Sequence, residues 1–290
     1  MERAVQAQIT PFFHQASSTF SYVVADPATR HAAIIDPVLD YDAAAGRTGT
    51  LSARTLVDFV RSGGFALAWI LETHAHADHV SAAQYIKHEL GGRIAIGEGI
   101  RQVQASFGRL FNITDELTGD GRQFDHLFRD GEAFRIGQLS ARVLATPGHT
   151  SDSVTYVAGE AAFVGDTLFM PDGGTARCDF PGGDAGMLYD SIGRILSLPE
   201  TTRLFMCHDY APAGREYRNE TTVAEQKRAN IHVHDGVSRD EFIKLRTARD
   251  KTLSTPALLL PAVQINIRAG VLPPPDANGV SYIRIPINGF

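Results

Sequence analysis

Four short clusters of polar, titratable residues each follow an apolar run, and they constrain the fold more than any other feature of the chain. They are His74-Ala-His76-Ala-Asp78-His79 after "ALAWILET", Gly148-His149-Thr150 after "LSARVLATP", Gly165-Asp166 after "AAFV", and Cys207-His208-Asp209 after "TRLFM". The apolar runs are short, bounded by turn formers, and read as buried strands. Polar groups placed where strands leave a sheet converge only if the strand ends share one edge. Loops at such an edge are where functional side chains concentrate.

The clusters contribute the imidazoles of His74, His76, His79, His149 and His208 and the carboxylates of Asp78 and Asp166. Neutral imidazole and carboxylate are the ligands of zinc, iron, manganese and similar divalent ions. The spacing of the first cluster has a geometric reason. A regular strand aligns His74, His76 and Asp78 and excludes His79, whereas a loop running into a helix lets all four face one centre. The other histidines, His14, His31, His88, His126, His232 and His234, are isolated and read as surface or hydrogen-bonded residues. Of these, His14 with Phe12-Phe13 is a candidate to close one side of the cleft.

Around these clusters the pattern is mixed. "FSYVVADPATRHAAIIDPV" reads as two strands with a turn at Asp26-Pro27, the second stopping at Asp36-Pro37. "SARTLVDFVRSGG" reads as a helix, "ADHVSAAQYIKHELGG" as another, "RIAIG" as a strand, and residues 100 to 124 as less regular. "EAFRIGQLSARVLATPGHT" alternates like strands, and "SVTYVAGEAAFVGDTLF" is a hairpin around Gly159-Glu160. "GMLYDSIGRILSLP" is a helix. Strands first paired and then interleaved with helices, twice over, predict two sheets between helix layers. The predicted fold class is α/β, an αββα four-layer sandwich with a C-terminal extension. Residues 1–235 form the main domain, and 236–290 form a helical and Pro-rich extension packed on it.

Bulk properties narrow the setting. A chain of 290 residues with 43% hydrophobic residues can bury a core without disulfide staples. Its two cysteines, Cys178 and Cys207, read as reduced thiols, Cys178 as a small residue in a strand-edge loop and Cys207 as a buried hydrophobe pointing away from the site. A net charge of −6 and no basic run argue against nucleic acid as a partner. There is no secretory n- and h-region and no apolar stretch of bilayer length, so a cytoplasmic protein is expected, with no membrane partner. The apolar, Pro-rich "LLLPAVQINIRAGVLPPP" packs on its own domain or on a second copy, which makes a homodimer one expectation.

"THAHADH", "TPGHTSDS", "FVGDTLF" and "CHDY", in that order, resemble the metal-binding motifs of the metallo-β-lactamase superfamily. The resemblance covers about residues 15 to 220 and implies the αββα fold with a metal site at one edge of both sheets. In dinuclear hydrolases of that superfamily, His74, His76, His149 and Asp166 would hold one ion. Asp78, His79, His208 and a bridging Asp166 would hold the other. "VGDTLFMPDGGTARCDFPGGDAGMLYDSI" is similar, more narrowly, to the persulfide dioxygenases, which are relatives of glyoxalase II. The loop before Arg177 is about two residues longer than that group's pattern. The narrower resemblance implies one Fe(II) per chain on His74, His149 and Asp166, a two-histidine, one-carboxylate face suited to O₂ chemistry. His76, Asp78, His79 and His208 would then orient ligands and water through hydrogen bonds.

The implied enzyme oxidises glutathione persulfide with O₂ to sulfite and glutathione. Because every ligand of a second ion is present, a dinuclear Zn²⁺ hydrolase cleaving a glutathione thioester stands as the alternative, with Zn²⁺ in one or two copies. Glutathione carries two carboxylates, and an arginine fork suits each. Arg177, in the family-like "RCDF", is a candidate substrate residue with Asp179 as its holder. Tyr210, after His208, is placed with the catalytic residues His74, His149 and Asp166 and also against substrate. Arg215 is the third substrate candidate, although for it and Arg218 a solvated surface charge is the plainer reading.

Overall fold

The computed structural model describes residues 6–289. In the first half, β1 (Gln8–His14), β2 (Thr19–Asp26) and β3 (His31–Ile35) run antiparallel. The small strands β4 (Val38–Asp42) and β5 (Arg47–Gly49) follow, then α1 (Leu51–Ser62), β6 (Ala66–Leu71), β7 (Val80–Ser81), α2 (Ala83–Leu90), β8 (Arg93–Gly97), α3 (Ile100–Leu110) and β9 (His126–Phe128). The first sheet has the order β1-β2-β3-β6-β8-β9, its last three pairings parallel. β4, β5 and β7 make a separate three-stranded sheet beside it.

The second sheet is built from β10 (Ala133–Ile136), β11 (Leu139–Ala145), β12 (Val154–Ala158), β13 (Ala161–Phe163), β14 (Arg203–Phe205) and β15 (Glu220–Thr222), in that order. The helix α4 (Ala185–Leu196) makes the parallel crossover from β13 to β14. After β15 come α5 (Val223–Ala229), α6 (Arg239–Asp250) and α7 (Leu259–Asn266).

Side-chain alternation sorts the strands into three cores. In β2, Val23 and Ala25 join Leu56, Ile86, Val103 and Phe107 under the helices α1, α2 and α3, while Tyr22 and Val24 face the other sheet. In β12 and β13, Tyr156, Ala158, Ala161 and Phe163 fill the space between sheets, while Val157 and Ala162 face Leu188, Ile192 and Phe242 on the other side. Strands buried on both faces lose the polar alternation of a surface sheet, which is why they read as continuous apolar runs. The result is the expected αββα sandwich.

Three local expectations change. Residues 100 to 124 contain α3, whose Ile100, Val103 and Phe107 lie on one stripe against the first sheet. The expected helix from Ala77 begins only at Ala83, because Asp78 and His79 are held in the preceding loop and Val80-Ser81 pairs with β4. The tail contains α7, buried on nearly every side and therefore without amphipathic periodicity. Its Pro261 sits in the first turn, where a missing N–H breaks no helical bond. None of the helices in the described residues is long and apolar enough to cross a membrane.

Phe163 is 1% exposed, with its ring 5.2 Å from that of Tyr22 and 5.1 Å from that of Phe205. Phe163→Ala is expected to destabilise the fold by about 3–5 kcal/mol through the cavity it leaves, measured as a fall in the urea unfolding midpoint at unchanged m.

Candidate metal centre

The four clusters leave β6, β11, β13 and β14 along one edge shared by the two large sheets. Two glycines permit the approach. Gly165 has φ +53° and lies on Thr73, where a Cβ would come within 2.7 Å of the hydroxyl. Gly148 has φ +139°, and a Cβ there would lie 2.3 Å from the backbone nitrogen of Leu188. Only glycine fits both the backbone and the space.

The ligand atoms fall into two groups, each within 4.8 Å of one another: His74, His149 and Asp166; and His76, Asp78, His79 and His208. Asp166 lies between them, Oδ2 3.7 Å from His149 Nε2 and Oδ1 3.4 Å from His208 Nε2. Asp78 Oδ2 is also 3.4 Å from His208 Nε2.

Hydrogen bonds behind the rings set the tautomers. The Nδ1–H of His149 donates to the Arg177 carbonyl at 2.7 Å. The Thr73 hydroxyl donates to Asp36 at 2.9 Å, so at 3.1 Å from His74 Nδ1 it accepts the ring N–H. His76 Nε2 donates to Asp36 at 2.9 Å, and His208 Nδ1 donates to the Ser18 carbonyl at 3.3 Å. The opposite atoms, His74 Nε2, His76 Nδ1, His79 Nε2, His208 Nε2 and Asp166 Oδ1, are buried and have no hydrogen-bond partner. Buried lone pairs left facing one another are costly unless a cation lies among them. The residues fit a divalent metal.

The electrostatics of His74, His76 and Asp78 agree. Burial holds the His74 and His76 rings well below the usual imidazole range, so both are neutral and offer a lone pair. Burial raises Asp78, but His208 and His79 beside it outweigh this and hold it well below the carboxylate range. Burial also raises Asp166. His208 is lowered by burial but raised more by Asp166 and Asp78.

Sequence reasoning missed Asp36. It follows β3 as the other clusters follow their strands, at φ +49°, and accepts from Thr73 N–H at 2.7 Å, the Thr73 hydroxyl and His76. Its place directly after a strand was the available signal, hidden by reading Asp36-Pro37 only as a stop. Asp152, which accepts from Ala75 N–H at 2.8 Å, was hidden in "HTSDS". Cys207 is a correction. Its sulfur lies within 4.8 Å of ligand atoms of Asp166 and His208, and of Asp36 and His76, because β14 ends at Phe205 and the alternation stops before Cys207.

A cleft of about 490 Å³ opens beside the centre, lined among others by Asp78, His149, Asp166, Arg177, Tyr210 and Arg249. Arg177 and Tyr210 thus lie in it. Arg215 does not: its five N–H donors are spent on Asp172, Asp209 and the Glu216 carbonyl, so it braces a loop. Arg218 pairs with Glu225 at 3.6 Å. His14 and Phe12-Phe13 line a separate cavity of about 130 Å³. Burial pushes the Cys178 thiol up to about 12, which leaves it protonated and unreactive.

The metallo-β-lactamase superfamily model matches residues 15–208. The chain is 53% identical to a probable metallo-hydrolase of Burkholderia pseudomallei, over 96% of this chain and 98% of that one. It is 31% identical to the mitochondrial persulfide dioxygenase of Homo sapiens, over 90% of this chain and 88% of that one. Its structure is similar to the crystal structure of ETHE1 from Myxococcus xanthus, with TM-score 0.73 and 33% identity, covering 91% of this chain and all of that one.

Asp36→Ala removes the acceptor behind His76 and Thr73. It is expected to weaken metal binding about 10–100-fold, read by competition with a chromophoric chelator, while the far-ultraviolet circular dichroism stays that of the folded protein.

Proposed function

Since the chain belongs to the metallo-β-lactamase superfamily, and is an enzyme of that superfamily, we propose that it is an iron-dependent persulfide dioxygenase: glutathione persulfide + O₂ + H₂O → glutathione + sulfite + 2 H⁺. The observation that carries this reading is the convergence of two imidazoles and one carboxylate, His74, His149 and Asp166, on one centre. A face of this composition leaves open positions opposite and suits non-haem Fe(II). When bound there, iron supplies the redox step and the positions at which persulfide sulfur and O₂ meet. The 31% identity to a persulfide dioxygenase supports the same reading.

The chain's own residues bind and orient. Arg177 is gripped through Nε and Nη2 by Asp179 at 2.6 and 2.7 Å, and through Nη1 by the Ser254 carbonyl at 2.7 Å, with its guanidinium over Phe180. Three of its five donors are used, which leaves two for a ligand carboxylate. Arg246 is neutralised by Asp250. The guanidinium of Arg249, exposed in the same cleft, has no hydrogen-bond or ion-pair partner among the described residues, and it takes the second carboxylate in place of Arg215. Tyr210 lays its ring 5.9 Å from His208 and 5.7 Å from Phe169 while its outer side stays open to the cleft. Desolvation, then Asp166 and Asp78, push its hydroxyl up, so it stays a neutral donor toward the thiol sulfur.

A second reading, a dinuclear zinc hydrolase of the glyoxalase II type acting on a glutathione thioester, is favoured by one observation. His79 Nε2 and His208 Nε2 are unpartnered on the far side of Asp166, which turns an oxygen to each group. The relative described as a probable metallo-hydrolase supports it.

Iron-loaded protein is expected to consume O₂ and form sulfite in equal amounts from glutathione persulfide. His149→Ala should be folded and silent. Two zincs per chain by elemental analysis, with thioester turnover and no O₂ uptake after iron loading, selects the hydrolase. Arg249→Gln is expected to raise KM about 10-fold, the loss of one charge-assisted contact, with kcat nearly unchanged, in an initial-rate series against glutathione persulfide.

A further inference from the structure

One buried amide from the far end of the chain holds the metal loop. Asn266, the last residue of α7, is 5% exposed. Its Nδ2 donates to the carbonyls of His76 and His79, each at 2.8 Å, and its Oδ1 accepts from Ser81 N–H at 2.8 Å. Both donors and the acceptor are therefore used, and the amide has one orientation: the reverse would turn its oxygen against two carbonyls. The two carbonyls bracket Ala77 and Asp78, so one side chain fixes the backbone that aims His76, Asp78 and His79.

The helix that carries it is itself firmly seated. Leu259, Val263 and Ile267 lie in the core under the first sheet, and Ala262 and Ile265 pack with Val80 of β7 in a small core of their own. Gln104 Nε2 donates to the Ile267 carbonyl at 2.8 Å. A donor on so rigid an element can hold a loop to the tolerance that ligand geometry needs. The superfamily model matches residues 15–208, and this segment lies beyond it.

We propose that the C-terminal segment is a working part of the metal centre and that Asn266 is a positioning residue for it, fixing the 76–79 turn. The inference rests on the reading of the site as a metal centre, and it holds for either reaction and for one ion or two. Asn266→Asp keeps the shape and the acceptor but removes both donors; Asn266→Ser is the neutral second variant if the carboxylate prevents folding. Gln264→Ala is the matched control. Gln264 is an equally buried amide on α7 that bonds the Arg284 backbone and the Leu260 carbonyl instead of the metal loop.

The probe is Co(II) added to metal-free full-length protein, read by its visible spectrum, beside amide hydrogen exchange of the metal-free protein. The Asn266 variants should bind Co(II) about 10–100-fold more weakly, the usual effect of removing a group that orients ligands, with an altered spectrum. Exchange should accelerate over residues 75–82 and not across the sheets, and Gln264→Ala should bind as wild type does. Wild-type affinity and spectrum in Asn266→Asp, or an equal loss in Gln264→Ala, overturns the clamp alone. A wild-type protein that takes up no Co(II) overturns the metal centre and the clamp with it.

Discussion

The carboxylate of Asp36 is the joint on which the site depends. It sits where β3 ends and accepts from the Thr73 N–H, the Thr73 hydroxyl and the His76 ring. By accepting the hydrogen bond of the Thr73 hydroxyl it obliges that oxygen to accept from His74, and so turns the lone pair of His74 Nε2 into the site. The carbonyl of Thr73 accepts from Val154 N–H, and that of Glu72 from the Tyr156 hydroxyl, so the same two residues also stitch the first sheet to the second. One buried acid thus sets two tautomers at the seam between sheets. Burial pushes this acid up to about 6, against the pull of the Thr73 bonds.

Much of the centre was legible because its groups come in runs. Three histidines and an aspartate in six positions have few structural explanations, and short apolar runs ahead of each cluster placed them at strand ends. What was not legible depends on long-range pairing. Nothing local distinguishes Asp36, read as a strand stop, from any acid before a proline. Cys207 was assigned by alternation, which fails two residues after a strand has ended. Arg215 and Arg249 are indistinguishable by type; only the side-chain partners, Asp172 and Asp209 for the first and none among the described residues for the second, separate them. α7 was missed because a helix buried all round carries no stripe to read.

The arrangement also ties stability to occupancy. Buried imidazoles with unpartnered nitrogens, facing buried carboxylates, oppose folding until an ion offsets the desolvation. Metal that binds this state and not the unfolded chain shifts the equilibrium toward the fold by mass action. The cleft adds a second link. Arg177 holds His149 through its backbone carbonyl while its guanidinium lines the cleft, so ligand placement and substrate mouth share one residue.

The bonds from Asn266 to the metal loop span 190 and 187 residues. Contacts so distant in sequence close late, because the loop entropy between them is lost before they form. On a growing chain the loop from His74 to His79 emerges long before residue 266. It therefore waits, without these bonds, until α7 has been made. A polypeptide cut short of α7 would present the same ligands on a loop that lacks these bonds.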